Sequence, residues 1–183
     1  MTELVTNQNP GDYICFIYSA LFNCPFLSFF FGIVLLLGKE NGIMSLHGPV
    51  IIIEDDTDDQ EMLKEVFDDL GYPNHLHFFT TCLDARDYLM STLEKPLIII
   101  SDINLPAMTG MQLRQEINSN DFLRKKSIPF VFLSTNPDKR IVQQAYELLV
   151  QGYFIKPPRM GELREMIKMI VEYWTVCKHP NME

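Results

Sequence analysis

The stretch that most constrains this chain is Ile98-Ile99-Ile100-Ser101-Asp102-Ile103-Asn104-Leu105-Pro106, an apolar run that ends on a carboxylate and then breaks at a proline. A strand that is apolar at every position has both faces covered, which implies a central parallel sheet flanked by helices. In such sheets ligands sit outside the carboxyl ends of the strands, so Asp102 falls on the edge where a phosphate or a metal would be handled.

The segments around this run repeat the pattern. Val50-Ile51-Ile52-Ile53 reads as a buried strand that ends in Glu54-Asp55-Asp56, and Met62, Leu63, Val66, Phe67 and Leu70 follow at helical spacing until Gly71. His75 to Thr80 reads as a shorter strand, and Ala85, Tyr88, Leu89 and Leu93 as the helix after it. Beyond Pro106, the loop to Gly110 leads into a helix carrying Leu113 and Ile117. Pro129 to Leu133 reads as a fourth strand, Asp138 to Val150 as a helix, and Gly152 to Ile155 as a fifth strand ending on Lys156-Pro157. Leu163, Ile167, Ile170 and Trp174 mark an amphipathic last helix. The expectation is an α/β domain with a doubly wound, five-stranded parallel sheet. Few residues follow Trp174, so no further output domain is expected there.

This domain is expected to run from residue 44 to 178, after an apolar N-terminal extension of residues 1–43. Residues 13–37 carry no charge and meet the requirement of about 20 apolar residues for a membrane span. Their flanks show no clear positive bias, and the acidic start fits a secretory signal poorly. Either this segment is an anchor, or the functional protein begins at Met44. A net charge of −9 with no basic stripe argues against nucleic acid. Cys15, Cys24, Cys82 and Cys177 have no metal-ligand spacing, which suits a reduced, cytoplasmic chain. His75 and His77 alternate on one strand, where a polar face is the simpler account than a metal grip.

Four strand ends deliver polar groups to one rim: Glu54, Asp55 and Asp56; Asp102; Ser134 and Thr135; and Lys156. Singly, each is ordinary, since acids cap helices, Ser-Thr pairs cap turns and lysines are solvated. Together they point to narrow chemistry. Clustered carboxylates repel unless a cation is present, so a hard divalent ion is implied, and Mg²⁺ suits a few oxygen ligands with waters left for a phosphate. Lys156 would neutralise phosphate oxygens and the Ser134 hydroxyl would donate to another, which makes this a phosphoryl-transfer site with an aspartate nucleophile.

On these residues, 49–175 resemble the receiver domain of two-component response regulators, a flavodoxin-like fold. The matching positions are Glu54-Asp55, Asp102 within D-x-N-x-P, Ser134, Tyr153 and Lys156-Pro157. The resemblance implies that Asp102 accepts a phosphoryl group from a histidine kinase or a histidine phosphotransfer protein. It implies Mg²⁺ held by Asp55, Asp102 and the Asn104 carbonyl, with Glu54 acting mainly through water. Ser134 and Tyr153 would form the conformational switch, and Asn104 and Asn136 would tune the lifetime of the phosphorylated state. It further implies a cis Lys156–Pro157 bond and a self-catalysed phosphoacceptor rather than a turnover enzyme. Output would pass through a protein-binding surface to a downstream protein whose identity the sequence does not give. The chain departs from the family at Leu149-Val150, where Gly-Ala is usual, so the left-handed helix end loses its glycine and Val150 is expected to crowd the space behind Ser134. Pro157-Pro158 is the second departure.

Other readings are weaker. A haloacid-dehalogenase-like Mg²⁺ phosphatase needs a second aspartate two residues on, where this chain has Asn104. A calcium loop over Asp55, Thr57 and Asp59 has Gln60 at the position that must be glycine. A receiver used only as a binding module would lack part of the acid-lysine set, and none is missing. A flavodoxin-like cofactor binder would line this edge with hydroxyls rather than acids.

Overall fold

The computed structural model describes residues 48–178. The candidate span 13–37 and the whole apolar extension, residues 1–43, lie outside the described residues. Among those described, no helix is long and apolar enough to cross a membrane.

The chain alternates strand and helix throughout: β1 (Val50–Ile53), α1 (Thr57–Leu70), β2 (Leu76–Phe79), α2 (Cys82–Ser91), β3 (Ile98–Ser101), α3 (Gly110–Ser119), α4 (Asp121–Lys125), β4 (Phe130–Ser134), α5 (Lys139–Glu147), β5 (Gly152–Ile155) and α6 (Met160–Val176). The five strands form one parallel sheet in the order β2-β1-β3-β4-β5. Strand order reverses between β1 and β3, and at such a reversal the flanking connections leave on opposite faces and open a crevice. β1 and β3 are paired so that Ile53 lies beside Ser101, which brings the residues just beyond them, Glu54 and Asp102, to adjacent positions.

Alternation of side chains along the strands splits the core into two layers. Ile51, Ile53, Ile99, Phe130 and Phe132 pack with Cys82, Ala85, Leu89, Leu113, Ile117, Leu123 and Ala145 from α2 to α5. Val50, Ile52, Ile98, Ile100, Val131 and Leu133 pack on the other side with Leu63, Val66, Phe67, Leu163, Ile167, Ile170 and Val171 from α1 and α6. The continuous apolar runs of β1 and β3 thus have the double coverage their composition demands, and all four residues of each are buried.

Local chemistry fixes the helix ends near the site. The Asp56 carboxylate caps α1, accepting from the backbone amides of Asp58 and Asp59 at 2.8 and 3.2 Å, so Asp56 serves the helix rather than the rim. Gly71 ends α1 at φ 66°, a left-handed conformation that glycine adopts without steric cost. At α3, Thr109 and Gln112 form a reciprocal capping box. The first residue of α3, Gly110, donates its amide to the Ile103 carbonyl at 3.0 Å. A Cβ there would lie 2.3 Å from the Asp102 carbonyl oxygen and 2.8 Å from the Phe132 ring.

One feature differs from expectation. The Lys156–Pro157 bond is trans, as no cis peptide occurs among the described residues, and trans is the lower-energy form of X-Pro by about 0.5–1 kcal/mol. Val150 is buried in the layer that holds Phe130, Phe132 and Ala145. The short helix α4 adds an element between β3 and β4, begun by the Asn120 side chain accepting from Phe122 and Leu123 amides.

At the end of α5, Leu149 adopts φ 59°, the left-handed conformation where glycine is favoured. Compensation comes from α3. Arg114 Nε donates to the Leu148 carbonyl at 3.1 Å and its Nη2 to the Leu149 carbonyl at 2.6 Å, while Asn118 Nδ2 donates to Leu148 at 2.7 Å. The guanidinium lies over the Phe130 ring, 5.5 Å from its centroid, and is buried. Burial lowers its pKa.

Candidate functional site

The site is assembled by strand termination. β1 hands over to Glu54 and Asp55 where the helix cap Asp56 begins, and β3 hands over to Asp102 where the chain turns toward Pro106. A carboxylate oxygen from each of Glu54, Asp55 and Asp102 lies within 4.8 Å of the others. Glu54 is buried, Asp102 half-buried and Asp55 exposed, so the cluster opens from the sheet toward solvent. Hard carboxylate oxygens at this spacing, open on one side, fit a divalent cation such as Mg²⁺ or Mn²⁺ and not a closed tetrahedral zinc cage.

Lys156, from the end of β5, reaches this cluster. Its ammonium donates to Glu54 Oε2 at 2.5 Å and to Asp59 Oδ2 at 2.6 Å. The lysine side chain is 12% exposed and that of Glu54 4%, so the pair is largely removed from water. Burial pushes the Glu54 carboxyl above its ordinary pKa, and the nearby Lys156 only partly offsets this. For Lys156 burial acts to lower the pKa, but the Asp59 and Glu54 carboxylates outweigh it and the ammonium is held above its ordinary value. Asp102 Oδ1 accepts from the amide of Ile103 at 2.7 Å, which orients the carboxylate at the strand end.

The hydroxyl arm comes from β4. Ser134 is fully buried, and its Oγ accepts from the Asn136 amide at 3.4 Å. Tyr153, half-buried in β5, donates its phenol to the Asn136 carbonyl at 2.6 Å, and its ring meets Phe132 edge-on at 6.2 Å between centroids. Ser134, Asn136 and Tyr153 are therefore joined in one short network beside the β4 end. Asn104 is exposed on the loop after Asp102, and Thr135 is exposed beyond Ser134.

Of the residues singled out from the sequence, Glu54, Asp55, Asp102 and Lys156 converge, and Ser134, Asn136 and Tyr153 form the neighbouring network. The side chain of Asn104 makes no hydrogen bond to either group among the described residues, and the residue is exposed. His77 stacks on Tyr88, with ring centroids 5.1 Å apart, while His75 lies outside β2, so the two histidines do not form a metal grip. Two contributors were missed. Asp59 lies in the first turn of α1, directly after the strand end that carries Glu54 and Asp55. Gln60 donates Nε2 to the Glu54 carbonyl at 2.5 Å, tying α1 to the strand end. Their place in the first turn after the acidic strand end was the signal available for both.

Known proteins are similar to this chain in sequence and in fold. The chain is 28% identical over 130 residues to the response regulator Rcp1 of Synechocystis sp., covering 68% of this chain and 87% of that protein. It is 25% identical over 130 residues to the chemotaxis protein CheY of Pseudomonas aeruginosa, covering 67% of this chain and 95% of that one. Among solved structures, the phosphorylated cyanobacterial phytochrome response regulator RcpA superposes with a TM-score of 0.67 at 26% identity, over 74% of this chain and 99% of RcpA. The Mn²⁺-bound form of Rcp1 superposes with a TM-score of 0.63 at 26% identity, over 72% and 97%. Residues 50–168, more than half the chain, match the family model described as the response regulator receiver domain. With its parallel sheet, its acidic cluster at the β1/β3 reversal and this match, the chain belongs to the response regulator receiver family.

Proposed function

We propose that the domain spanning residues 44–178 accepts a phosphoryl group on Asp102 from a histidine kinase or a histidine phosphotransfer protein. The observation that carries this reading is the convergence of the Glu54, Asp55 and Asp102 carboxylates within 4.8 Å, beside the Lys156 ammonium. In the transfer, an Asp102 carboxylate oxygen attacks phosphorus, the P–N bond of the phosphohistidine breaks, and the departing imidazole nitrogen keeps the electron pair. Lys156 and the Ser134 hydroxyl supply positive charge and a hydrogen bond to the transferred oxygens. Asp55, Asp102 and the Asn104 carbonyl would hold Mg²⁺ directly and Glu54 through water; the ion, when bound, neutralises charge between carboxylates and phosphate. The Mn²⁺-bound relative Rcp1 supports a divalent ion. Asn104 and Asn136 flank Asp102 and Ser134 and would orient, without deprotonating, the water that later hydrolyses the acyl phosphate. The chain acts as a phosphoacceptor and not as a turnover enzyme.

Output runs through the face made by α5, β5 and α6 to an unidentified downstream protein. Tyr146 and Leu149 are 52% and 68% exposed there, and Ser134 and Tyr153 link the face to the site. Incubation with a small acyl phosphate and Mg²⁺ should add one phosphoryl group, and Asp102→Asn should abolish it. Equal labelling of that variant would refute the assignment.

A further inference from the structure

Lys156 is the cation of the site, yet among the described residues it makes no hydrogen bond to Asp102. An ammonium has three donors. Two of them are committed, to Glu54 Oε2 at 2.5 Å and to Asp59 Oδ2 at 2.6 Å. Asp102 acts on Lys156 through space only. The two holding carboxylates differ in kind. Glu54 belongs to the three-acid cluster with Asp55 and Asp102, and Asp59 does not.

Asp59 is held in place by the same device that starts its helix. Its amide donates to the capping Asp56 carboxylate at 3.2 Å, so the first turn of α1 presents the Asp59 side chain to the end of β5. The carboxylate is about one-third exposed, and the ammonium it grips is 12% exposed. A charge-assisted bond at a largely dehydrated ammonium is stronger than an open surface pair.

We propose that Asp59 is a positioning residue that holds Lys156 off the phosphoryl site, so that Asp59 and the oxygens of the incoming phosphoryl group compete for the same ammonium. The inference rests on the reading of Asp102 as phosphoacceptor and extends it to the control of occupancy. Glu54 cannot serve as the adjustable partner, because its carboxylate also belongs to the acidic cluster. Asp59 has no second role in the site, so the strength of its grip sets how readily Lys156 turns to a phosphoryl group on Asp102. Weakening the grip should favour the occupied state.

The test is the affinity for beryllofluoride, a non-covalent mimic of the phosphoryl group, at saturating Mg²⁺, followed by fluorine NMR. Asp59→Asn keeps the shape and the backbone amide while removing the charge, and it should tighten beryllofluoride binding by about tenfold, the size of one charge-assisted hydrogen bond. Asp59→Ala should move the affinity in the same direction. In a Lys156→Met background the Asp59→Asn change should have an effect of less than about twofold, because Asp59 acts through the ammonium. Unchanged or weaker binding in Asp59→Asn, or the same gain without Lys156, would overturn the proposal. Parent protein that binds no beryllofluoride, or Asp102→Asn that binds it as well as the parent, would instead remove the underlying reading and the proposal with it. Parent binding that depends on Asp102 but ignores Asp59 would remove the proposal alone.

Discussion

The Leu148 carbonyl at the end of α5 accepts from two side chains of α3, Arg114 Nε at 3.1 Å and Asn118 Nδ2 at 2.7 Å, and this shared service has a measurable signature. Arg114→Met keeps most of the apolar stem and removes two donors. The Leu148 carbonyl then still has Asn118, and the Leu149 carbonyl still has Gln151 Nε2 at 3.0 Å, so neither becomes an orphan. Hydrogen bonds from a charged group contribute about 1.5–3 kcal/mol each, but the variant also recovers the cost of burying a guanidinium, so a net loss of about 1–2 kcal/mol is expected. Asn118→Leu alone should cost about 1 kcal/mol by the same reasoning. In the double variant the Leu148 carbonyl loses both side-chain donors, which adds a penalty of about 1–3 kcal/mol that neither single variant shows. Urea denaturation followed by circular dichroism reads this directly. With a slope of about 2 kcal/mol per molar urea, the double variant's midpoint should fall at least about 0.5 M further than the sum of the single shifts. Additivity within about 0.5 kcal/mol would refute joint service of that carbonyl.

Other outcomes follow from the site. Asp55→Ala should remove most Mg²⁺ affinity measured by calorimetry and Glu54→Gln less of it; the reverse ranking would reject Asp55 as a direct ligand and Glu54 as acting through water. Asn104→Arg and Asn136→Tyr should each alter the decay rate of the phosphorylated state, and two unchanged rates would reject those positions as guides of the attacking water. Cys82 is fully buried and its thiol is pushed up to about 12 by burial and then by Asp102, so it should resist alkylation at pH 8 while the partly exposed Cys177 reacts. The folded state favours the protonated Cys82 thiol, so its contribution to stability is complete below pH 9 and is lost as the pH rises toward about 12. Equal labelling of the two cysteines in peptide maps would contradict this.

Much of the architecture was legible because its signals are local. Four-residue apolar strands that stop on a charge announce both burial and the edge where the charge emerges, and Gly71 marks the end of α1 in one letter. What escaped the sequence depends on contacts made at a distance. Asp59 is one of six aspartates from residue 55 to residue 69, and only the fold, which brings the end of β5 across to α1, separates it from its solvated neighbours. Arg114 appeared as an ordinary polar residue between Leu113 and Ile117; its role follows from Leu149, 35 positions away, standing in a left-handed conformation. The trans bond at Pro157 was illegible for a different reason, since the two isomers differ by about 1 kcal/mol and tertiary context decides between them.

Gly110 gives the Asp102 loop a weakness unrelated to its chemistry. The start of α3 and the end of β3 approach within the width of a bare backbone, and any side chain at Gly110 would strike the Asp102 carbonyl oxygen and the Phe132 ring. To make room, α3 or the strand end would have to retreat, and the carboxylate at Asp102 would travel with its own main chain. In a mutational survey scored by phosphate incorporation, Gly110 would therefore register among the reactive positions although it offers no functional group. A second survey scored by Mg²⁺-independent folding would separate it from them, because a misfit at this seam disturbs the resting fold before any phosphate arrives.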